Sequence, residues 1–141
     1  MDISEVLPGL YLSGIAVKRA SAPCRAALAV TDYDMGAPAW AERYLWVELC
    51  DTESEPEAMF RDAAERGATF LAECARDGVP VCVYCGLGVS RSPAVLCWYL
   101  VRERGLSVDS ALRLVKERRP KARPNFGFQR YLRRMEAERR E

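Results

Sequence analysis

The spacing of hydrophobic positions changes along the chain, and each change predicts an element. Leu10-Tyr11-Leu12, between Pro8-Gly9 and Ser13-Gly14, reads as a short strand, and Ala26 to Thr31 as a second, stopped by the polar run Asp32 to Gly36. Leu45, Val47 and Leu49 occupy alternate positions, so Tyr44–Leu49 is a third strand with those three on one face. Cys50 to Pro56 is a polar loop off its end. From Glu57 to Arg76 the period becomes helical: Phe60, Ala63, Ala64, Phe70, Leu71 and Cys74 form an apolar stripe, and Asp77-Gly78 supplies the stop. Val79 to Tyr84 is apolar throughout, which predicts a central strand buried on both sides.

Cys85 to Arg91 is then a loop with two glycines, and Ser92-Pro93 opens a helix running to about Arg104. Its segment Ala94 to Val101 is apolar on every side and too short to span a bilayer, so it belongs in the core, with Trp98 and Tyr99 as packing residues. Ser107 caps a further helix to about Arg119, with Asp109 in its first turn and Pro120 ending it. A last helix follows Pro124-Asn125. Strands alternate with helices and no repeat or linker interrupts them, so residues 1–141 are expected to form one α/β domain.

Composition narrows the chemistry. The 141 residues contain no histidine, which excludes a Ser-His-Asp triad, a Cys-His dyad and most catalytic zinc sites. The six cysteines are unevenly spread and several lie in apolar runs, as small buried hydrophobes do, so a reducing compartment, cytoplasmic or nuclear, is expected. Met1-Asp2-Ile3-Ser4-Glu5 has neither the basic start nor the apolar run of a signal peptide, and nothing approaches a membrane span, so a soluble, unexported protein without membrane partners follows. Residues 1–101 carry 8 basic against 14 acidic side chains, and residues 102–141 carry 13 against 6. In the tail, Arg130, Arg133, Arg134, Arg139 and Arg140 interleave with Glu136, Glu138 and Glu141 at helical spacing, which predicts a solvated face with intrahelical pairs. No aromatic platform accompanies the charge, so nucleic acid is not expected as a partner.

The sharpest feature is the succession strand, Cys85, glycine-bearing loop, Arg91, helix. Such a turn leaves the N–H groups of Gly86, Leu87, Gly88, Val89, Ser90 and Arg91 free to converge on one point, and the helix dipole adds positive potential there. Arg91 contributes a planar fork that grips two phosphate oxygens. Cys85 at the bottom is expected as a thiolate, poised for in-line attack on phosphorus. Two competing motifs fail. Cys82 and Cys85 form Cys-x-x-Cys, but no second ligand pair exists and strand residues three apart point to opposite faces, so no metal is expected. The loop has no lysine, so it is not a nucleotide-binding Walker motif.

Val83-Tyr84-Cys85-Gly86-Leu87-Gly88-Val89-Ser90-Arg91-Ser92-Pro93 resembles the Cys-x5-Arg-[Ser/Thr] signature of the cysteine-dependent phosphatases, and more narrowly the small atypical dual-specificity protein phosphatases. Val6 to Leu12, Cys50-Asp51-Thr52 and Arg123-Pro124-Asn125-Phe126-Gly127-Phe128 match the same family in the right order. The resemblance implies a central, mostly parallel twisted sheet flanked by helices. It implies hydrolysis of phosphotyrosine, phosphoserine or phosphothreonine in a phosphoprotein through a phosphocysteine intermediate, with no cofactor. On the matching positions Cys85 is the nucleophile and Arg91 holds the phosphoryl oxygens. Asp51, 34 residues before Cys85, protonates the leaving oxygen and later activates water, with Glu53 or Glu55 as alternatives. Ser92 hydrogen-bonds the sulfur, and Asn125 braces the site.

One position departs from the pattern. Tyr84 stands where the family usually has His; a phenol can donate a hydrogen bond but carries no positive charge, so a less well held thiolate and modest activity are expected. The loop centre lacks the lysines of relatives acting on phosphoinositides, which favours phosphoprotein. A pseudophosphatase, binding phosphate or scaffolding without turnover, is the alternative; intact Cys85, Arg91 and Asp51 favour the enzyme.

Overall fold

The computed structural model describes residues 2–19 and 23–139. Its strands β1 (Ile3–Leu7), β2 (Leu10–Gly14), β3 (Ala26–Thr31), β4 (Arg43–Glu48) and β5 (Val81–Cys85) form one sheet in the order β1-β2-β5-β3-β4. β1 runs antiparallel to β2, and every other pairing is parallel. β5 is central and buried along its whole length, as its continuous apolar run predicts. The chain pattern did not predict β1. Ile3 to Leu7 becomes a strand by pairing with β2 across the Pro8-Gly9 turn, a tertiary event with little local signature.

Four helices, α1 (Glu57–Arg76), α2 (Arg91–Arg104), α3 (Val108–Arg118) and α4 (Phe126–Arg139), cover one face of the sheet. Leu12, Leu28, Val47, Val81 and Val83 project from that face and meet Phe60 and Leu71 of α1, Val95 and Leu96 of α2, Val115 of α3 and Leu132 of α4 in one core. Each fully buried side chain of this size contributes about 1.5–3 kcal/mol. α2 lies between sheet and helices and is buried from Ser92 to Val101, which is why its sequence shows no polar face. Phe70, expected in the α1 stripe, sits at its half-buried edge. Ser107 caps α3 as predicted, its Oγ accepting from the Ser110 N–H at 3.0 Å.

The opposite face is thinly covered. Ala27, Ala29, Cys82 and Tyr84 point that way and lie against Val17 of a short 3-10 helix (Ile15–Arg19) and Cys24. Half-buried Tyr11, Trp40, Tyr44 and Trp46 complete the layer. Trp40 Nε1 donates to the Val17 carbonyl at 2.9 Å, and Trp46 Nε1 to that of Thr31 at 3.2 Å.

Several charges of α4 remain solvated but pair across to neighbouring helices. Glu138 accepts both Arg61 Nη atoms at 2.8 Å, Arg134 pairs with Glu57, Arg133 with Asp109 at 2.8 Å, and Glu136 accepts the Val108 N–H at 2.8 Å. α4 packs against α1 and α3, so these side chains find partners on those helices. Arg140 and Glu141 lie outside the described residues.

Candidate active site

Parallel pairing brings the functional segments to one edge. Cys85 pairs with Gly14, Tyr84 with Ala29, and Thr31 with Glu48, so Cys85, Asp32 and the Leu49–Asp51 segment all leave the carboxyl ends of their strands together. In parallel α/β sheets the crevice beyond those ends is the usual ligand site. From Cys85 the chain turns through residues 86–90 into the N-terminus of α2, whose dipole presents positive potential to the turn.

The turn is held from behind by its carbonyls. Gly86 O accepts the Ile15 N–H at 3.0 Å, Leu87 O accepts Arg119 Nη2 at 3.2 Å, Gly88 O accepts Arg119 Nε at 2.8 Å, and Val89 O accepts the Arg123 N–H. A trans peptide is planar with its C=O and N–H opposed, so four carbonyls tied outward direct the N–H groups of Leu87, Gly88, Val89 and Ser90 inward. Gly88 makes the turn possible: its φ is +69°, and a Cβ there would lie 2.5 Å from the Ser13 carbonyl oxygen.

Cys85 is 2 % exposed, and its Sγ lies 3.2 Å from the buried Ser92 Oγ, in the first turn of α2. Arg91, at the first position of α2, folds its guanidinium back over the loop; its Nη1 lies 3.4 Å from the Leu49 carbonyl and 3.8 Å from Asp32 Oδ1. Asp32, just beyond β3, is a contact the sequence did not flag. Cys82 points to the far face, where its Sγ is 3.2 Å from Ser13 Oγ, so the two Cys-x-x-Cys sulfurs are on opposite sides of the sheet.

Tyr84 does not join the loop. It is 1 % exposed on the far face, and its hydroxyl has no hydrogen-bond partner among the described residues. Burial pushes that phenol well above its usual range. The strand period dictates this: Tyr84 and Cys85 are adjacent in an extended chain, so their side chains leave on opposite faces.

Asp51 arrives on an exposed loop fastened to α4. Asn125 Nδ2 donates to Asp51 Oδ1 at 3.0 Å, Tyr131 Oη donates to the Glu55 carbonyl at 2.6 Å, and Gly127 packs so closely that a Cβ would meet Glu53 O at 2.4 Å. Asn125 is also bound on its other sides, its N–H to Ser90 Oγ at 2.9 Å and its Oδ1 to the Phe128 N–H at 2.9 Å, where it caps α4. It therefore links the phosphate loop, the Asp51 loop and a helix terminus. The 7 % exposed Glu55 turns its carboxylate onto the Cys50 N–H at 2.8 Å, which commits it to holding the loop. Glu53 stays in the opening: with Asp51, Val89, Ser90, Arg123, Pro124, Asn125 and Phe126 it lines a pocket of about 280 Å³.

The geometry so far is a thiol at the base of inward N–H groups, with an arginine over them and a carboxylate at the rim. Residues 26–138 match the family profile described as dual specificity phosphatase, catalytic domain. The chain belongs to the dual specificity phosphatase family. A mouse protein named dual specificity phosphatase 28 is 48% identical over 77 residues, covering 50% of this chain and 47% of that protein. The crystal structure of human DUSP28 superposes with a TM-score of 0.89 at 29% identity, covering 100% of this chain and 97% of the other. A mouse dual specificity phosphatase solved with zinc tungstate gives 0.84 at 31%, covering 96% and 87%. The chain spans about half the length of the curated mouse relative. Both solved structures share the fold described above, a mostly parallel sheet with helices packed on it.

Of the residues picked out in the sequence, Cys85, Arg91, Ser92 and residues 86–90 are brought together, with Asp51 and Asn125 at the rim. Tyr84 faces away. Arg119, Asp32, and the holding roles of Glu55 and Gly127 were missed; Gly127 alone carried a signal, standing within the Asn125-Phe126-Gly127 match.

Proposed function

We propose that the protein is a phosphoprotein phosphatase that works through a phosphocysteine intermediate. The observation that carries this reading is the outward tying of all four carbonyls from Gly86 to Val89 around the Cys85 sulfur. A ring of inward N–H groups suits the equatorial oxygens of a phosphoryl group, and the sulfur beneath is in line with the leaving oxygen. Cys85 thiolate attacks phosphorus and forms the S–P bond as the P–O bond to the ester oxygen breaks. Asp51 gives that oxygen its proton. Arg91 binds the oxygens as charge redistributes among them. Asp51, now a carboxylate, takes a proton from water, which attacks the phosphocysteine; the S–P bond breaks, and Ser92 Oγ–H steadies the departing thiolate. Phosphate leaves.

Ser92 at 3.2 Å from the sulfur and Asn125 on the Asp51 carboxylate support the roles given to each. The mouse relative was solved with tungstate, a tetrahedral oxyanion, which agrees with an oxyanion-binding fold. The substrate is phosphotyrosine, phosphoserine or phosphothreonine on a protein, and the free cysteines Cys24, Cys50, Cys74, Cys82, Cys85 and Cys97 suit a reducing compartment, cytoplasmic or nuclear. Acid quenching during turnover of an aryl phosphate is expected to trap one phosphoryl group on the peptide containing Cys85, seen by mass spectrometry. Turnover with label on no cysteine would remove the covalent route.

A further inference from the structure

Arg119 closes α3 at its C-terminus, is 2 % exposed, and reaches beneath the phosphate loop, 31 residues away in sequence. Its Nε donates to Gly88 O at 2.8 Å and its Nη2 to Leu87 O at 3.2 Å. The other side of the fork is held by β1 and its approach: Nη1 and Nη2 each donate to an Asp2 oxygen at 3.0 Å, and Nη1 to Ser4 Oγ at 3.1 Å. A side chain this buried, with every nitrogen engaged, has one geometry available.

Two consecutive carbonyls of the cradle thus depend on one guanidinium. The Leu87–Gly88 peptide is also where the loop is freest, because glycine takes positive and negative φ with similar ease and the peptide can rotate about its two flanking bonds. Rotated, it would aim the Leu87 carbonyl at the anion and withdraw the Gly88 N–H. We infer that Arg119 is a positioning residue of the active site: it selects the orientation of the Leu87 and Gly88 carbonyls that turns the Gly88 and Val89 N–H groups toward the oxyanion, with Asp2 fixing the fork. A lysine in its place keeps the charge but, as a point donor, cannot hold both carbonyls in a fixed plane.

This inference rests on the reading of residues 86–91 as an oxyanion site, so its test measures anion binding apart from turnover. Inorganic phosphate is titrated calorimetrically into wild type, Arg119→Lys, Arg119→Met and Asp2→Asn, and as a competitive inhibitor of aryl phosphate hydrolysis, with folded fraction followed by circular dichroism. Arg119→Met is expected to weaken phosphate binding about tenfold or more and to raise KM by a similar factor, Arg119→Lys less, and Asp2→Asn least. A purely structural role would lower the active fraction and hence apparent kcat, leaving KM and the phosphate constant unchanged; that pattern in folded protein overturns the inference. If Arg119→Met does not fold, Arg119→Lys and Asp2→Asn decide by the same criterion. Wild-type protein that binds phosphate but hydrolyses no ester overturns the phosphatase reading and leaves the Arg119 comparison intact.

Discussion

The phosphate loop and the Asp51 loop face the same opening and are held in opposite ways. Residues 86–90 are fixed through their backbone, each carbonyl from Gly86 to Val89 tied outward to the 3-10 helix, Arg119 or Arg123. The Asp51 loop is exposed and fixed through side chains, by Asn125 and Tyr131 of the α4 segment and its own Glu55. Binding sites that stabilise developing charge must be oriented beforehand, because dipoles that reorganise during reaction return part of the stabilisation. A proton donor has to reach one oxygen, and a tethered arm suffices. Changes around the cradle should therefore affect binding and chemistry of all substrates, and changes at the Asp51 loop only those whose leaving oxygen needs a proton.

Cys85→Ser tests the cradle side with the largest effect: hydrolysis should fall to background while phosphate still binds within a few-fold of wild type, since N–H groups and Arg91 rather than sulfur hold the anion. Activity above a small residue would break the covalent assignment. Asp51→Asn tests the other side. Hydrolysis of an ester with a basic leaving group should drop ~10²–10⁴-fold, and one with a good leaving group far less. Equal losses would move the acid role to Glu53, which shares the pocket. Asn125→Ala releases Asp51 without removing it, so the same split between esters should appear at about tenfold, with about 1 kcal/mol of stability lost with the α4 cap.

Tyr84→His probes the join between the regions. Among the described residues the buried hydroxyl has no partner, so tyrosine supplies packing and no hydrogen bond to the loop. Alkylation of Cys85 by iodoacetamide near pH 6, followed on its own peptide by mass spectrometry, should speed up a few-fold in the variant; coincident rates would mean the missing imidazole is immaterial. The smallest effect concerns acid stability. Hydrogen bonds from Arg119 and then Lys121 hold the Asp2 carboxyl below the usual carboxylate range. A carboxyl lowered by folding stabilises the protein above its unfolded value, about 4, and loses that contribution as pH falls through the lower folded value. Asp2 is half exposed, so the gain is modest. The melting-temperature gap between wild type and Asp2→Asn should be constant above about pH 5 and close below pH 4; a gap unchanged at acid pH would show that the charge contributes nothing.

Elements whose interactions are local or periodic were legible in the chain. The alternation of Leu45, Val47 and Leu49, the apolar run of β5, the Ser107 cap and the Cys85-to-Pro93 succession each place their groups through bonds a few residues long, so residue order alone carries them. The far-face position of Tyr84 follows from the same period, yet the lack of a partner for its hydroxyl among the described residues depends on what the Trp40 and Tyr44 segments bring over it. Tertiary structure alone decided the pairing of Ile3–Leu7 as an edge strand, the reach of Arg119 from α3 to Leu87, Gly88 and Asp2, the bridge from Asn125 to Asp51, the commitment of Glu55 to Cys50, and the partners of the α4 charges on α1 and α3. A side chain's period names the face it leaves from, whereas its partner is set by how helices and loops pack over that face, and spacing along the chain holds no record of which distant residue will be there.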